Sequence, residues 1–225
     1  MQPRLRLGPG TQFGHQTGVP WNRKARVLVE VAEEINLQSG LHLLVAPNGA
    51  GKTTFLRTLA GLHPALSGAP DIVGRVNYVS DALQMDGELL SRTLLHSWFC
   101  DEALMYAVQL ADRLNLDLGC QIGKLSRGNR QKVVLIAAET LAAISAPSLL
   151  LLDEPLTGMD AETRAVVADL WASSGSSVLR LVVLHELEAV KQADSLCTVV
   201  GGLLRHITSR HGGSWMETCE YLRAQ

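Results

Sequence analysis

Three short apolar runs punctuate the chain: Leu41–Ala46 (LHLLVA), Leu149–Leu152 (LLLL) and Val178–Leu184 (VLRLVVL). Each has the length of a strand and ends against a polar or glycine-rich residue. Their hydrophobicity is continuous rather than alternating, which predicts strands buried on both faces, as in a parallel sheet. Between them the period changes. Val166, Val167, Leu170 and Trp171 form one stripe at helical spacing after Asp160, and Asn129 to Ile144 is rich in Val, Leu, Ala and Gln with no helix breaker. Strands alternating with helices predict an α/β fold with right-handed crossovers.

Two stretches break this rhythm. From about Gln84 to Lys124 few strand-like runs occur, and Leu104, Val108, Ala111 and Leu114 are spaced like one helix face, which predicts a helical insertion. The first forty residues alternate and carry turns at Gly8-Pro9-Gly10 and Gly18-Val19-Pro20, which predicts antiparallel strands beside the core. The expected organisation is one domain over 1–225, with an antiparallel β part over about 1–40, an α/β core over 41–80 and 130–225, and a helical part over 84–129.

Composition narrows the class. The chain has 225 residues, 47% hydrophobic and 19% charged, with a net charge of −2, so it lacks the basic footprint of a nucleic-acid binder. Arg4, Arg6, Arg23, Lys24 and Arg26 form an early basic cluster that reads as a solvated strand and turn. Cys100, Cys120, Cys197 and Cys219 have no zinc-ligand or redox spacing and read as buried thiols of a reducing compartment. No secretory signal opens the sequence, and no run reaches the roughly 20 apolar residues of a membrane span. The expected location is cytoplasmic.

The candidate chemistry begins where the first apolar run stops. Pro47, Asn48, Gly49, Ala50 and Gly51 must turn tightly so that backbone N–H groups converge, and glycine leaves room there for phosphate. A helix starting near Lys52 adds partial positive charge. Lys52 suits the β- and γ-phosphates, Thr53 suits Mg²⁺, and Thr54 completes the loop, which points to ATP. Ala46 stands where the loop template has its first glycine, a position that faces packing. Far along the chain, four leucines end at Asp153-Glu154-Pro155. In a parallel sheet these carboxylates reach the same edge as the glycine loop. Asp153 could then hold the Mg²⁺ shell and Glu154 could polarise a water for in-line attack.

With these two sites in this order, the chain resembles the ATP-binding cassette (ABC) ATPases over nearly its whole length. Its residues 125–160 read LSRGNRQKVVLIAAETLAAISAPSLLLLDEPLTGMD. Leu125-Ser126-Arg127-Gly128-Asn129 looks like the family's signature turn. Leu156-Thr157-Gly158-Met159-Asp160 looks like its D-loop, and His185, after an apolar run, like its switch histidine. The resemblance implies a P-loop NTPase core with a parallel sheet, an antiparallel β part and a helical insertion. It implies an ATPase with Glu154, His185 and Lys52 in catalysis, and nucleotide contacts from the glycine loop, Ser126, Arg127, Gly128 and Asp160. It also implies a head-to-tail dimer with two ATP molecules held between glycine loop and signature, and docking on separate transmembrane permease subunits at the cytoplasmic face.

Some positions depart from the family pattern. Asp81 falls where a magnesium-contacting glutamine belongs, and Gln84 follows three residues later, so either residue fills that place. Arg127 replaces a small residue, as in exporters of the family. Trp21 has the spacing of the adenine-stacking aromatic, with Phe13 as the alternative. The partner would grip the surface near residues 81–100, where Leu83, Met85, Leu89, Leu90, Leu94 and Leu95 are apolar. His15, His42, His63, His96, His206 and His211 read as satisfied core residues. Two other functions compete: a soluble ABC ATPase acting on nucleic acid or ribosomes, and a nucleotide-binding regulator with little turnover, which Asp81 would suit.

Overall fold

A computed structural model describes residues 1–19, 22–80, 83–173, 177–184 and 192–223. The three apolar runs become neighbouring strands. β5 (Gly40–Val45) pairs in parallel with β9 (Val178–Val183), which pairs in parallel with β8 (Ser148–Asp153). β7 (Arg75–Ser80) adds a further parallel strand beside β8. On the other side of β5 lie β10 (Ser195–Val200), β11 (Leu203–Ile207), β3 (Asn22–Val31) and β2 (Gln12–Val19), giving an eight-stranded sheet in the order β2-β3-β11-β10-β5-β9-β8-β7.

Both faces of this sheet are covered, and alternate residues feed two separate cores. Leu150 and Leu152 of β8 point to one core, and Leu149 and Leu151 to the other. All four are 0% exposed, each contributing roughly 1.5–3 kcal/mol of hydrophobic stabilisation. The same alternation divides Leu43 from Leu44 and Val182 from Leu181. A continuous apolar run is what a strand with two buried faces requires.

On one side, α2 (Ser91–Trp98), α3 (Asp101–Arg113), α4 (Arg127–Ile144) and α5 (Ala161–Ala172) contribute to the first core. On the other, α1 (Lys52–Leu59) packs under the second. α1 ends at a left-handed Gly61, with φ of 74°, where the Gly61 and Leu62 amides return to the carbonyls of Thr58 and Arg57. A separate three-stranded antiparallel sheet joins β4 (Ile35–Gln38), β1 (Arg4–Leu7) and β6 (Asp71–Val73). Here Arg4 and Arg6 pair with Asp71 and Glu34 at 2.9 and 2.8 Å, which accounts for part of the early basic cluster within the fold. The antiparallel region is not a detached flank: β3 hydrogen-bonds in parallel to β11 and so extends the main sheet. α6 (Trp215–Arg223) closes the described chain.

Candidate nucleotide site

Register sets the strand ends level. Leu44 stands opposite Val183, Val183 opposite Asp153, and Asp153 opposite Ser80. The carboxyl ends of β5, β9, β8 and β7 therefore share one edge, where ligands bind in open α/β sheets. The glycine loop leaves β5 at this edge. Gly51 is the N-cap of α1 at φ 90°, and Gly49 has φ 79°, so both occupy left-handed backbone that favours glycine. At Gly51 a Cβ would also come within 2.9 Å of Leu28 Cβ. α1 has no acid in its first turn and no side-chain cap, which keeps its positive end open to an anion. The Lys52 amine bends back over the loop, donating to the Ala46 and Pro47 carbonyls at 2.9 and 3.2 Å.

A cleft of about 320 Å³ opens over this loop, lined by His15, Leu28, Asn48, Gly49, Gly51, Lys52, Thr53, Thr54 and Glu154. Burial pulls the Lys52 amine below its ordinary pKa, while the charges of Glu154 and then Asp153 pull it back up. The two carboxylates thus act on the same amine. Asp153 is 7% exposed, and the Tyr78 hydroxyl donates to it at 3.4 Å. Glu154 has φ 54°, a left-handed conformation that costs a non-glycine residue about 1–3 kcal/mol and tends to occur at functional sites. The Thr157 amide returns to its carbonyl, closing the turn.

The signature turn and the D-loop meet elsewhere. Ser126 caps α4, its Oγ accepting from the Asn129 amide at 3.1 Å, and Asp160 caps α5, accepting from the Thr163 amide at 2.7 Å. That backbone bond holds the Asp160 carboxyl below its ordinary pKa. A Cβ on Gly128 would lie 2.1 Å from the Gly158 carbonyl oxygen, so only glycine lets these two turns touch. Neither turn contributes to the lining of the cleft around Lys52.

A family model described as ABC transporter matches residues 34–157. The chain belongs to the ABC transporter family. Among relatives of this ABC cassette, the zinc import ATP-binding protein ZnuC of Cereibacter sphaeroides is 32% identical over 161 residues, covering 67% of this chain and 63% of ZnuC, less than two thirds of its length. The taurine import ATP-binding protein TauB of Shigella dysenteriae is 31% identical, with 77% of this chain and 75% of TauB covered. A dimeric post-hydrolysis state of an ATP-binding cassette bound to ADP and Pi shares the fold at a TM-score of 0.70 and 16% identity, covering 92% of this chain and 99% of that one.

Within this ABC cassette the structure gathers Asn48, Gly49, Gly51, Lys52, Thr53, Thr54 and Glu154 around one cleft. Pro47 meets Lys52 through its carbonyl, and Ala50 packs against the second core. Trp21, Asp81 and His185 lie outside the described residues. Gln84 lines a different groove, of about 460 Å³, together with Arg127, Arg130 and Gln131. Phe13 is 0% exposed and packs edge-on against Phe55, so it is a core residue and not an adenine platform. Leu94 and Leu95 are buried at 6% and 0%, and belong to the core rather than to a partner surface, whereas Leu83 and Leu90 are exposed. Cys197 and Cys219 are buried as expected, but Cys100 is exposed at a helix start. His15 is the residue the motifs did not supply. No local signal marks it, because its place over α1 comes from strand pairing.

Proposed function

We propose that this cassette is the ATP-hydrolysing subunit of a transporter, working as a head-to-tail pair of identical chains and docked at the cytoplasmic face on separate membrane-spanning subunits. The observation that carries the reading is the separation of its two anion-binding turns. Gly128 packs against Gly158 of the D-loop, and the cleft around Lys52 is lined without Ser126 or Gly128. A second copy would bring its signature turn over that cleft and complete the cage around the triphosphate. Glu154 would orient and deprotonate the attacking water, Lys52 would hold the β- and γ-phosphates, and His185 would reach the γ-phosphate.

Thr53 and Asp153 offer hard oxygen donors at one sheet edge and fit Mg²⁺, which keeps waters and substrate phosphates among its ligands. When bound, Mg²⁺ supplies positive charge to the phosphate oxygens; Asp81 or Gln84 would complete its surroundings. Among the described residues no helix is long and apolar enough to cross a membrane, in keeping with a separate membrane partner. That partner would dock beside residues 81–100, where Leu83 and Met85 line the groove that also holds Gln131, whose buried amide nitrogen has no protein partner. The names of ZnuC and TauB speak of import and Arg127 resembles exporters, so the reading is energised transport without a direction.

Glu154→Gln decides the central point. Turnover should fall at least about 100-fold, while ATP binding persists and light scattering detects a dimer held together by magnesium nucleotide. Equal turnover in both proteins would remove Glu154 from catalysis, and failure to dimerise would remove the paired engine. A wild-type protein that binds ATP but never turns it over would favour the regulator.

A further inference from the structure

Asp153 ends β8 with only 7% of its surface exposed, and a buried carboxylate needs donors. Side chains along β8 alternate between the two cores, so Asp153 shares a face with Leu149 and Leu151, the face that α1 covers. Tyr78 approaches that face from the neighbouring strand. β7 and β8 pair with Tyr78 opposite Leu151 and Ser80 opposite Asp153, which makes Tyr78 and Asp153 diagonal neighbours. A short side chain cannot span a diagonal of a sheet, but an aromatic one can.

The ring of Tyr78 is placed by packing. It lies against the second core, to which Leu151 of β8 and Phe55 and Leu56 of α1 belong. Its hydroxyl therefore reaches the sheet edge and donates to Asp153 Oδ2 at 3.4 Å. A phenol has one proton to give, and here a carboxylate beside the glycine loop receives it. That carboxylate also acts electrostatically on the Lys52 amine. An aspartate carboxylate turns easily about its last bond, so a donor on one oxygen decides which way the other faces. Tyr78 also precedes Asp81 by three residues, so the bond ties Asp153 to the strand that leads into that stretch.

We propose that Tyr78 is a positioning residue for the cation, orienting the Asp153 carboxylate through its hydroxyl. The inference rests on the magnesium-nucleotide reading of the cleft and adds a residue that none of the motifs contains. Calorimetric titration of the full chain with ADP, once in excess Mg²⁺ and once in EDTA, tests it. ADP has no γ-phosphate to lose, so binding is read without turnover. Tyr78→Phe keeps the ring in the core and removes the proton. In Mg²⁺ the variant should bind ADP about 10-fold more weakly, the lower end of what loss of an outer partner costs a metal ligand. In EDTA it should bind ADP as the wild type does, because no cation is present for Asp153 to hold. Mn²⁺ in place of Mg²⁺ should give the same split. Wild-type affinity of Tyr78→Phe for ADP in Mg²⁺ overturns the proposal. So does an equal loss in Mg²⁺ and in EDTA, which would make Tyr78 a support of the glycine loop. Two results on the wild type would strike the underlying reading instead. ADP binding no tighter in Mg²⁺ than in EDTA removes the cation role of Asp153, and no ADP binding in either removes the nucleotide site.

Discussion

His42 is 6% exposed near the start of β5, yet both of its ring nitrogens are used. Satisfying every partner fixes one arrangement: Nε2–H donates to the Gln38 carbonyl at 2.9 Å, and Nδ1 accepts from the Ser195 hydroxyl at 2.7 Å. The same hydroxyl oxygen then accepts from His206 Nε2–H at 2.8 Å. Burial lowers the pKa of both imidazoles; Asp194 pulls His42 back up and Glu33 does the same for His206. The folded chain therefore binds fewer protons than the unfolded chain just below the usual imidazole pKa of about 6.5. Their stabilising contribution is complete above that pH and is lost as the pH falls toward the lowered values, by at most about 1.4 kcal/mol per pH unit for each ring. Urea unfolding from pH 7.5 to 5.5 should show this loss, and His42→Asn should flatten it. An equal slope in the variant would remove His42 from the acid sensitivity. Cys197 is a simpler case: burial pushes its thiol up to about 12, so it stays protonated and inert.

At the scale of elements, one buried ion pair ties together the pieces that carry the motifs. Arg180 in β9 donates to Glu139 in α4 through Nη2 at 2.6 Å and Nε at 3.0 Å, and Trp171 in α5 donates to the same carboxylate at 2.7 Å. Both charged side chains are almost wholly buried, at 4% and 1% exposed. Removing one partner leaves a buried charge alone, so Glu139→Ala should cost about 3–5 kcal/mol, whereas Glu139→Gln with Arg180→Leu, which removes both charges and keeps an acceptor for the Trp171 N–H, should recover most of it. Denaturant midpoints would check both, and an equally damaged double variant would contradict the account. This pair was open to a sequence reader. A lone charge inside VVLIAAETLAAI and another inside VLRLVVL have opposite signs, and neither can sit unpaired in a core. The long apolar strands were legible because two buried faces leave no polar positions. β10 and β11 were not, since the polar Ser195 and His206, which hydrogen-bond to each other, interrupt their apolar pattern. The glycine loop and the Asp153-Glu154 pair were legible from local chemistry, whereas the place of His15 beside Thr54 follows from how β2 packs on α1.

For the whole molecule, the close contact between Gly128 and Gly158 fixes how the signature turn and the D-loop sit together. Gly128→Ala would drive a methyl into a backbone carbonyl that cannot swing aside, an overpacking penalty of about 1–3 kcal/mol. The variant should still bind nucleotide as a single chain and should lose nucleotide-driven pairing, which light scattering with and without magnesium ATP would detect. Intact pairing would mean that the two turns can separate. Their backbones touch with no side chain between them, so the two turns form one corner of the fold. In the proposed head-to-tail pair, that corner would face both nucleotides at once, its signature side toward one and its D-loop side toward the other. Neither catalytic event could then remain private: release at one pocket would be felt mechanically at its twin.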